Sequence, residues 1–317
     1  MTTLSIPILD YEPIEGVERL EKYRPGGYCP VLIGDIMKDR YQIVHKLGHG
    51  TFSTVWLARD KQQKSYVAVK VGTADSTSRE ADSLRTIGGS PARCSIPAAK
   101  FTSTFSLESA RAIAGQLVLA VAYVHARGFV HGDIHLRNVL LQLPSGLSKL
   151  SIKKLYTHVG KPLPVWFGQK AKEFTPHESH LILSDFGSAF TPFNPLRICL
   201  GEQCQSPLPV LPPEAHHQPE RPLSFSVNIW TLACALWEIF SSRDDIAAQQ
   251  IFETDVQAVR RKDNMGELCT EEEKAFLGML RRMLVFRPEE RATAVETLDS
   301  RWMREWGLPS VERMGKA

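Results

Sequence analysis

Several features that would identify a class of protein are scarce in this sequence. Its 317 residues contain six scattered cysteines, too few for a disulfide framework, so we expect reduced thiols in an intracellular protein. Positive and negative charges nearly balance at a net +3, and this excess is too small to argue direct binding of nucleic acid. With 43% hydrophobic and 23% charged residues, the composition excludes wholesale disorder, collagen and coiled coil.

Long apolar segments are also missing. The longest nearly apolar run, residues 112–126, includes Gln116 and His125 and is shorter than the ~20 residues that a membrane span needs. Residues 1–10 have no basic region and contain Pro7, so we expect no signal peptide. These features predict a protein of the cytoplasm, the nucleus or both, with no membrane association.

One cysteine pair leaves a metal site open as a minor alternative. Cys199 and Cys204 form a C-x4-C pair, and His216 and His217 follow. Zinc could use these four residues, but no second clean pair has the usual ligand spacing. We favour thiols that bind no metal.

Hydrophobic periodicity predicts an α+β fold with a β-rich first third. Alternation over residues 41–47 predicts a strand that Gly48 and Gly50 break, and residues 55–57 resume it as a hairpin. A third strand is predicted at 65–71. Its side chains divide between two faces, with Val67, Val69 and Val71 on one and Ala68 and Lys70 on the other.

The remainder of the chain is predicted to be mainly helical. Thr77 and Glu80 have the capping-box spacing for a helix that ends at Gly88, and Ser106 begins a long helix that Gly128 stops. Strands are predicted to follow the loop that starts at residue 131 and to cover residues 181–183. Further helices are predicted at residues 230–240, 271–284 and 292–301.

Four short motifs have the chemistry of a phosphate-handling site. The glycines of residues 47–55 let backbone N–H groups approach phosphate oxygens, although this stretch could be a simple hairpin turn. Lys70 could supply a fixed cation held by Glu80, or it could be a solvated lysine beside a capping residue. Carboxylate and amide oxygens suited to Mg²⁺ occur at Asp133, Asn138 and Asp185, where local hydrogen bonds within loops are the alternative.

In this order the motifs resemble the eukaryotic protein kinase family over residues 36–306. Residues 27–35, 40–41 and 46–56 are similar to the serine/arginine-rich-protein-specific (SRPK-like) group. The resemblance implies a protein-kinase-like two-lobed fold, with a small, truncated β-rich N-lobe and a larger helical C-lobe. It places an N-terminal arm at 1–35, the incomplete N-lobe at 36–105, the C-lobe at 106–307 with an insert at 144–180 as a surface loop or docking element, and a tail at 308–317.

The resemblance also implies roles for individual residues. Asp133 would orient the substrate hydroxyl and take its proton, Lys70 would hold phosphates and pair with Glu80, and Asn138 and Asp185 would bind Mg²⁺. Residues that would cover or contact ATP are Leu47, Gly48, His49, Gly50, Thr51, Phe52, Ser53, Val55 and Ala68. The implied protein is a monomeric, ATP- and Mg²⁺-dependent serine/threonine kinase of protein substrates, Arg/Ser-rich proteins among them.

Two further motifs resemble structural parts of protein-substrate kinases. Residues 212–214 (Pro-Pro-Glu) resemble the end of an activation segment, in which Glu214 would pair with Arg291. Residues 227–230 (Val-Asn-Ile-Trp) resemble the helix that anchors the catalytic loop.

Three positions depart from the family pattern, two of them in the loop that contains Asp133 and one in the helix that anchors this loop. Gly132 replaces an arginine, which makes regulation by activation-loop phosphorylation unexpected. His135 replaces a lysine with a group that lacks fixed charge, so we expect weaker transition-state stabilisation. Asn228 replaces an aspartate and loses charge assistance of its hydrogen bonds.

The largest departure is a shortage of chain between Gly88 and Ser106. Residues 89–105 must supply two strands, a hinge and a helix, for which about 25–30 positions are needed. An internal deletion would explain the shortage and would leave a three-stranded first sheet with an exposed edge. Two alternatives to an active protein kinase therefore stay open. One is a pseudokinase scaffold; the other, suggested by His131-Gly-Asp133 with Asn138, is a small-molecule phosphotransferase of the aminoglycoside or choline kinase kind.

Overall fold

The chain forms two compact units with different secondary structure. The computed structural model describes residues 18–76, 79–88, 95–97, 105–142, 150–159, 180–241, 251–252, 256–262 and 265–314. The first unit comprises Met1–Thr77 with Ser145–Phe167, and the second comprises Ser78–Pro144 with Gly168–Ala317. The first is built on a β-sheet and the second mainly on helices, which confirms the α+β class.

The described part of the chain contains the strands and helices predicted from periodicity, in their predicted order, together with short elements that were not predicted. The strands are β1 (Ile36–Met37), β2 (Tyr41–Gly50), β3 (Ser53–Asp60), β4 (Ser65–Gly72), β5 (Ser95–Pro97), β6 (Val139–Gln142) and β7 (Leu181–Leu183). The helices are α1 (Arg79–Ile87), α2 (Leu107–Ala126), α3 (Ile152–Val159), α4 (Pro213–His217), α5 (Ser226–Ser241), α6 (Val256–Lys262), α7 (Thr270–Met283), α8 (Ala294–Leu298) and α9 (Leu308–Met314).

The first sheet is antiparallel, in the order β1-β2-β3-β4. The three predicted strands are confirmed, and the two-residue β1 makes the sheet four-stranded rather than three-stranded. The apolar face of β4 packs into a small core, which contains Val31, Ile43, Trp56, Ala58, Val67, Val69 and Val71. The prediction that these valines share one face is thus confirmed.

Gly48 and Gly50 do not break β2, contrary to the prediction. The strand continues to Gly50, and the turn lies at Thr51 and Phe52. His49 pairs with Thr54 across the hairpin. Neither glycine has a left-handed backbone, so extended conformation and cross-strand pairing outweigh the usual weakness of glycine in a strand.

Part of the predicted insert 144–180 is a helix that belongs to the first unit. Leu155 of α3 is buried, and the Tyr156 hydroxyl donates a hydrogen bond to the Val44 carbonyl at 2.7 Å. The Tyr66 hydroxyl donates to the Leu150 carbonyl at 3.2 Å. Residues 144–149 and 160–179 of the insert lie outside the described residues.

The second unit is organised around α2 and α5. Ser106 caps α2 by accepting a hydrogen bond from the Ser109 N–H, and Gly128, at φ +80°, follows its end, as predicted. Among the described helices, α2 is the one long and apolar enough to cross a membrane by length and composition alone. Its buried side chains join those of α5 in the main core, so α2 is a core helix here.

The C-terminal segment also packs against α2. The sequence places residues 308–317 in a tail, whereas Leu308–Met314 forms α9 and the Arg313 guanidinium donates to Glu108 at 3.1 Å. A Cβ at Gly115 would lie 2.9 Å from the Gly307 carbonyl oxygen, so glycine permits this close approach of two helices.

The first described helix after the sheet groups with the second unit rather than with the predicted N-lobe. The Tyr123 hydroxyl donates to the Ile87 carbonyl and the Arg127 guanidinium to the Thr86 carbonyl, both at 2.8 Å. These bonds satisfy carbonyls at the end of α1. The predicted capping residue Thr77 lies outside the described residues, as do residues 89–94 and 98–104 of the short connection and residues 1–17 of the arm.

Candidate active site

The second sheet brings two predicted metal ligands to the same end of a strand pair. Its order is β5-β6-β7, with Val139 opposite Leu183 in the antiparallel β6–β7 pair. Asn138 immediately precedes β6, and Asp185 follows the end of β7 by two residues. The backbone N–H and the hydroxyl of Ser184 both donate to the Asn138 carbonyl at 2.9 Å. Antiparallel pairing thus places Asn138 and Asp185 at a common edge.

Asn138 also holds Asp133. The Asn138 Nδ2 group donates to the Asp133 backbone carbonyl at 2.9 Å and to the Asp133 Oδ2 at 3.0 Å. The second carboxylate oxygen, Oδ1, is buried and has no hydrogen-bond partner in the described part of the chain. Burying a carboxylate oxygen without a hydrogen-bond partner is energetically unfavourable. The Asp133 Oδ1 is therefore available to accept a hydrogen bond or a proton from a ligand.

His131 links the predicted catalytic loop, residues 131–138, to Ser184, the residue before Asp185. Its Nε2 donates to the Ser184 carbonyl at 2.9 Å, and its Nδ1 accepts the Asp133 backbone N–H at 3.3 Å. Complete burial lowers the pKa of His131 to about 4, so the ring is neutral and can make both bonds at once. The ring also meets Phe186 edge-on at 4.6 Å between centroids.

His135, which stands where the family pattern has a lysine, lies beside Asp133. Its Nδ1 accepts the Arg137 backbone N–H at 3.2 Å, and its other ring nitrogen, Nε2, faces Asp133 and Asn138. That Nε2 is 3.5 Å from the Asp133 Oδ2 and 3.1 Å from the Asn138 Nδ2. The structure therefore brings three of the predicted site residues together.

Asp185 has an unusual backbone conformation, with φ +64° and ψ +67°. Left-handed backbone is uncommon for non-glycine residues and is often found at functional sites. The short 3-10 turn Phe186–Ser188 follows, and Phe186 packs in a cluster with Ile87 of α1 and Phe129. Packing around Phe186 therefore supports the conformation that exposes Asp185.

Gly132 is required by its surroundings. Its φ is +82°, and a Cβ there would lie 2.5 Å from the Ser188 carbonyl oxygen. Its N–H donates to the Asn228 Oδ1 at 3.1 Å, which confirms that α5 contacts the catalytic loop. An arginine at position 132 would require Ser188 to move. Glycine rather than arginine therefore fits the backbone conformation here.

In the first unit three of the predicted nucleotide residues, Val55, Ala68 and Lys70, share a face of the sheet. Val55 pairs with Lys70 and Leu57 with Ala68 across β3 and β4, on the face opposite the valines. Residues directly opposite each other in a strand pair point to the same face. Glu80 lies on α1 in the second unit, and its pairing with Lys70 stays a prediction.

Nothing in the described chain requires glycine at position 48. A Cβ on Gly48 would meet no atom within 4 Å, and its backbone is not left-handed. At Gly50 the nearest atom would be the Ser53 Oγ at 3.9 Å. The open backbone at both positions fits a loop that approaches a ligand, and the remaining predicted residues Leu47, His49, Thr51 and Phe52 belong to the same hairpin.

Sequence reasoning missed two residues that contact this machinery. The Tyr28 hydroxyl donates to the Gly50 carbonyl at 2.6 Å, and the His125 Nε2 lies 3.2 Å from the Asn228 Nδ2. The sequence signal that could have identified Tyr28 is its position in residues 27–35, which resemble the SRPK-like group. His125 lies in the last turn of an apolar helix and had no comparable signal.

The zinc alternative is not supported. No group of three or more His, Cys, Asp or Glu side chains that could hold a metal is found among the described residues. Cys199 and Cys204 are free thiols, and both pack against a small apolar cluster. Burial raises the pKa of Cys199 to about 11, which disfavours the thiolate that zinc requires.

The predicted pairing of Glu214 with Arg291 is confirmed. Arg291 donates to the two carboxylate oxygens of Glu214, at 2.7 and 2.9 Å. It also donates to the Ser226 carbonyl at 2.8 Å and lies over the Trp230 ring. One guanidinium thus joins α4, α5 and the segment before α8.

Comparison with family models matches residues 97–303, well over half of the chain, to the family described as Protein kinase domain. The chain belongs to the protein kinase family. Its similar curated proteins include Serine/threonine-protein kinase spk-1 of Caenorhabditis elegans, 31% identical over 177 residues, which covers 43% of this chain and 17% of that protein. The names of this relative and of SRSF protein kinase 3, given next, support the SRPK-like resemblance.

Shorter stretches match more closely. Serine/threonine-protein kinase SKY1 of Saccharomyces cerevisiae is 51% identical over 65 residues, covering 20% of this chain and 9% of that protein. SRSF protein kinase 3 of Homo sapiens is 54% identical over 57 residues, covering 18% and 10%. The matched parts thus span less than a fifth of each relative's length.

Proposed function

We propose that this protein is an ATP- and Mg²⁺-dependent serine/threonine protein kinase. The observation that carries the proposal is the hydrogen-bonded set of Asp133 and Asn138 at the strand edge that also positions Asp185. Family membership supports the reaction class.

The reaction follows from the chemistry of these side chains. The substrate hydroxyl oxygen forms a bond to the γ-phosphorus of ATP, the bond between that phosphorus and the β,γ-bridging oxygen breaks, and ADP leaves. Asp133 accepts the hydroxyl proton, and its buried Oδ1 is an acceptor without another partner in the described chain. Lys70 and the open glycine hairpin would bind phosphate oxygens.

The donor set at the strand edge fits Mg²⁺. Two carboxylates and an amide oxygen are hard ligands of the kind that magnesium prefers, and Asn138 and Asp185 would hold the ion. When bound, the ion would neutralise charge on the phosphates. The buried Asp133 Oδ1, which has no hydrogen-bond partner in the described part of the chain, supports this proposal.

A protein substrate is favoured over a small molecule. The buried Glu214–Arg291 pair fixes the segment that protein-substrate kinases use, as the resemblance implies. We further propose that Arg/Ser-rich proteins are among the substrates, because relatives include SRSF protein kinase 3. Transfer of labelled phosphate to an Arg/Ser-repeat peptide, an acidic Ser peptide, kanamycin and choline would separate these classes, with the Arg/Ser peptide expected to be preferred.

A scaffold without turnover is the second candidate, and one observation favours it. The described first sheet ends at β4, while the described residues of the short connection, Ser95–Pro97, pair with β6 in the other sheet. Melting with and without Mg²⁺·ATP tests nucleotide binding. A ligand at 100 times its Kd adds about 2.7 kcal/mol, and the Tm should rise by several degrees. An unchanged Tm would favour the scaffold. Location in the cytoplasm or nucleus, and the monomeric state, remain predictions.

A further inference from the structure

We propose that His125 and Asn228 form a charge-neutral pair that positions the catalytic loop through the Gly132 N–H. The three groups form a chain of contacts from the end of α2 through α5 to the loop. The effect on turnover rests on the proposed kinase function, whereas the pair itself does not.

The orientation of the Asn228 amide follows from its loop contact. A backbone N–H can only donate, so the atom that meets Gly132 N at 3.1 Å must be the Asn228 carbonyl oxygen. The amide nitrogen then points to the His125 Nε2, 3.2 Å away. Because Nδ2 carries only donor hydrogens, the His125 Nε2 must accept.

An accepting Nε2 requires a neutral His125 with its proton on Nδ1. The end of a helix favours a protonated histidine, but burial opposes the charge and lowers the pKa of His125 to about 4. No charged side chain in the described part of the chain contributes to this shift, and the ring instead meets Phe225 edge-on at 4.9 Å. The geometry and the environment agree.

The pair explains why asparagine is suitable at position 228. A carboxylate there could accept from Gly132 but could donate nothing to the His125 Nε2. His125 would then have to move its proton to Nε2 or become an imidazolium. Asparagine can accept a hydrogen bond from Gly132 and donate one to His125 without burying a charge. A neutral His125 is therefore suited to asparagine rather than aspartate at position 228.

Nitrogen NMR of His125 tests the pair without catalysis. In the native protein we expect the Nδ1–H tautomer and no titration above about pH 5. In Asn228→Asp we expect the Nε2–H tautomer or an imidazolium, with a pKa about 1–3 units higher. A native Nε2–H tautomer, or the same tautomer and pKa in both proteins, would overturn the pair.

Amide exchange at Gly132 tests positioning. His125→Leu removes the acceptor for Asn228, and we expect exchange of the Gly132 N–H to speed up by about 2- to 10-fold, the loss of one hydrogen bond. His125→Gln keeps an acceptor oxygen and should restore slow exchange. If both variants exchange at the native rate, His125 does not position the loop, whether or not the chain turns over ATP.

Turnover gives an independent readout. In the active protein, His125→Leu should lower kcat with little change in the KM for ATP, and His125→Gln should recover most of kcat, because the loop and not the nucleotide site is disturbed. Equal kcat in native protein and both variants would contradict a positioning role. Absence of activity in the native protein would count against the proposed function, while the NMR and exchange results would still decide this proposal.

Discussion

Arg291 and Glu214, far apart in the sequence, form a two-bond ion pair in which the arginine side chain is completely buried. A planar guanidinium matches both carboxylate oxygens, and three backbone carbonyls accept its other hydrogens. Replacement of either partner would leave charge buried. Helix α4 is therefore held to the helical core by a contact that does not depend on phosphorylation.

Glu214→Ala should destabilise the protein by about 3–5 kcal/mol, because it leaves the buried Arg291 without a counter-charge. Urea unfolding measures the change. Arg287 and Glu290 provide a matched control. They form an exposed ion pair three residues apart, in the segment that directly precedes Arg291. Glu290→Ala should cost less than about 1 kcal/mol. Equal losses for the two alanine variants would show that burial of the pair has no energetic weight.

Gly132→Ala should destabilise the protein far more than Gly128→Ala. The two glycines have similar φ values, +82° and +80°, so both alanines incur the same strain of about 1–2 kcal/mol. A Cβ at 128 meets nothing within 4 Å, whereas one at 132 lies 2.5 Å from the Ser188 carbonyl oxygen. The difference measured by urea unfolding isolates the clash. Similar losses would argue that the loop lies farther from Ser188.

Stability should fall as the pH drops from neutral toward 5. The pKa values of His125 and His131 are lowered from 6.5 to about 4, so between these values the unfolded chain binds more protons. The stabilisation is fully present above 6.5 and is lost as the pH approaches 4. For each histidine the loss between pH 7 and 5 should be about 2 kcal/mol.

Urea unfolding at several pH values measures this dependence. His125→Gln cannot titrate and keeps the acceptor, so it should remove about half of the fall attributed to the two histidines. A variant with the same pH dependence as the native protein would show that His125 is not held neutral by the fold.

Tyr28→Phe should weaken ATP binding by about 2- to 10-fold, the loss of one hydrogen bond to the glycine hairpin. The Tyr28 hydroxyl is 2.6 Å from the Gly50 carbonyl, and the freed hairpin would lose order that binding must restore. Tyr66→Phe is the control, because it removes a hydroxyl bond to the Leu150 carbonyl in the same unit. Nucleotide titration should show weaker binding only for Tyr28→Phe. Equal affinities in both variants would show that the Tyr28 hydrogen bond does not order the hairpin for nucleotide binding.

Local pattern predicted those parts of the fold that depend on neighbouring residues. Alternation along β4 correctly placed Lys70 opposite the valines, and Ser106 and Gly128 correctly marked the ends of α2. Asn138 and Asp185 were predicted as metal ligands from their oxygen-bearing side chains and from the family resemblance, and each lies within two residues of a strand of the β6–β7 pair.

Other features depend on contacts between distant segments, which no local pattern encodes. The helix α9 forms where the sequence predicted a tail, because Gly115 lets it approach α2 closely. Gly48 stays in a strand because the hairpin pairs across it. The partnership of His125 with Asn228 joins positions more than a hundred residues apart and emerges only when α2 and α5 meet.

The proposed phosphoryl transfer is tested most directly by measuring transfer of the γ-phosphate of labelled ATP to an Arg/Ser-repeat peptide, by the native protein and by Asp133→Asn. Circular dichroism and the Tm should confirm that the variant folds. We expect Mg²⁺-dependent labelling of serine by the native protein and a loss of at least about 100-fold in the variant, since the proton acceptor is removed. Labelling by Asp133→Asn at the native rate would contradict it.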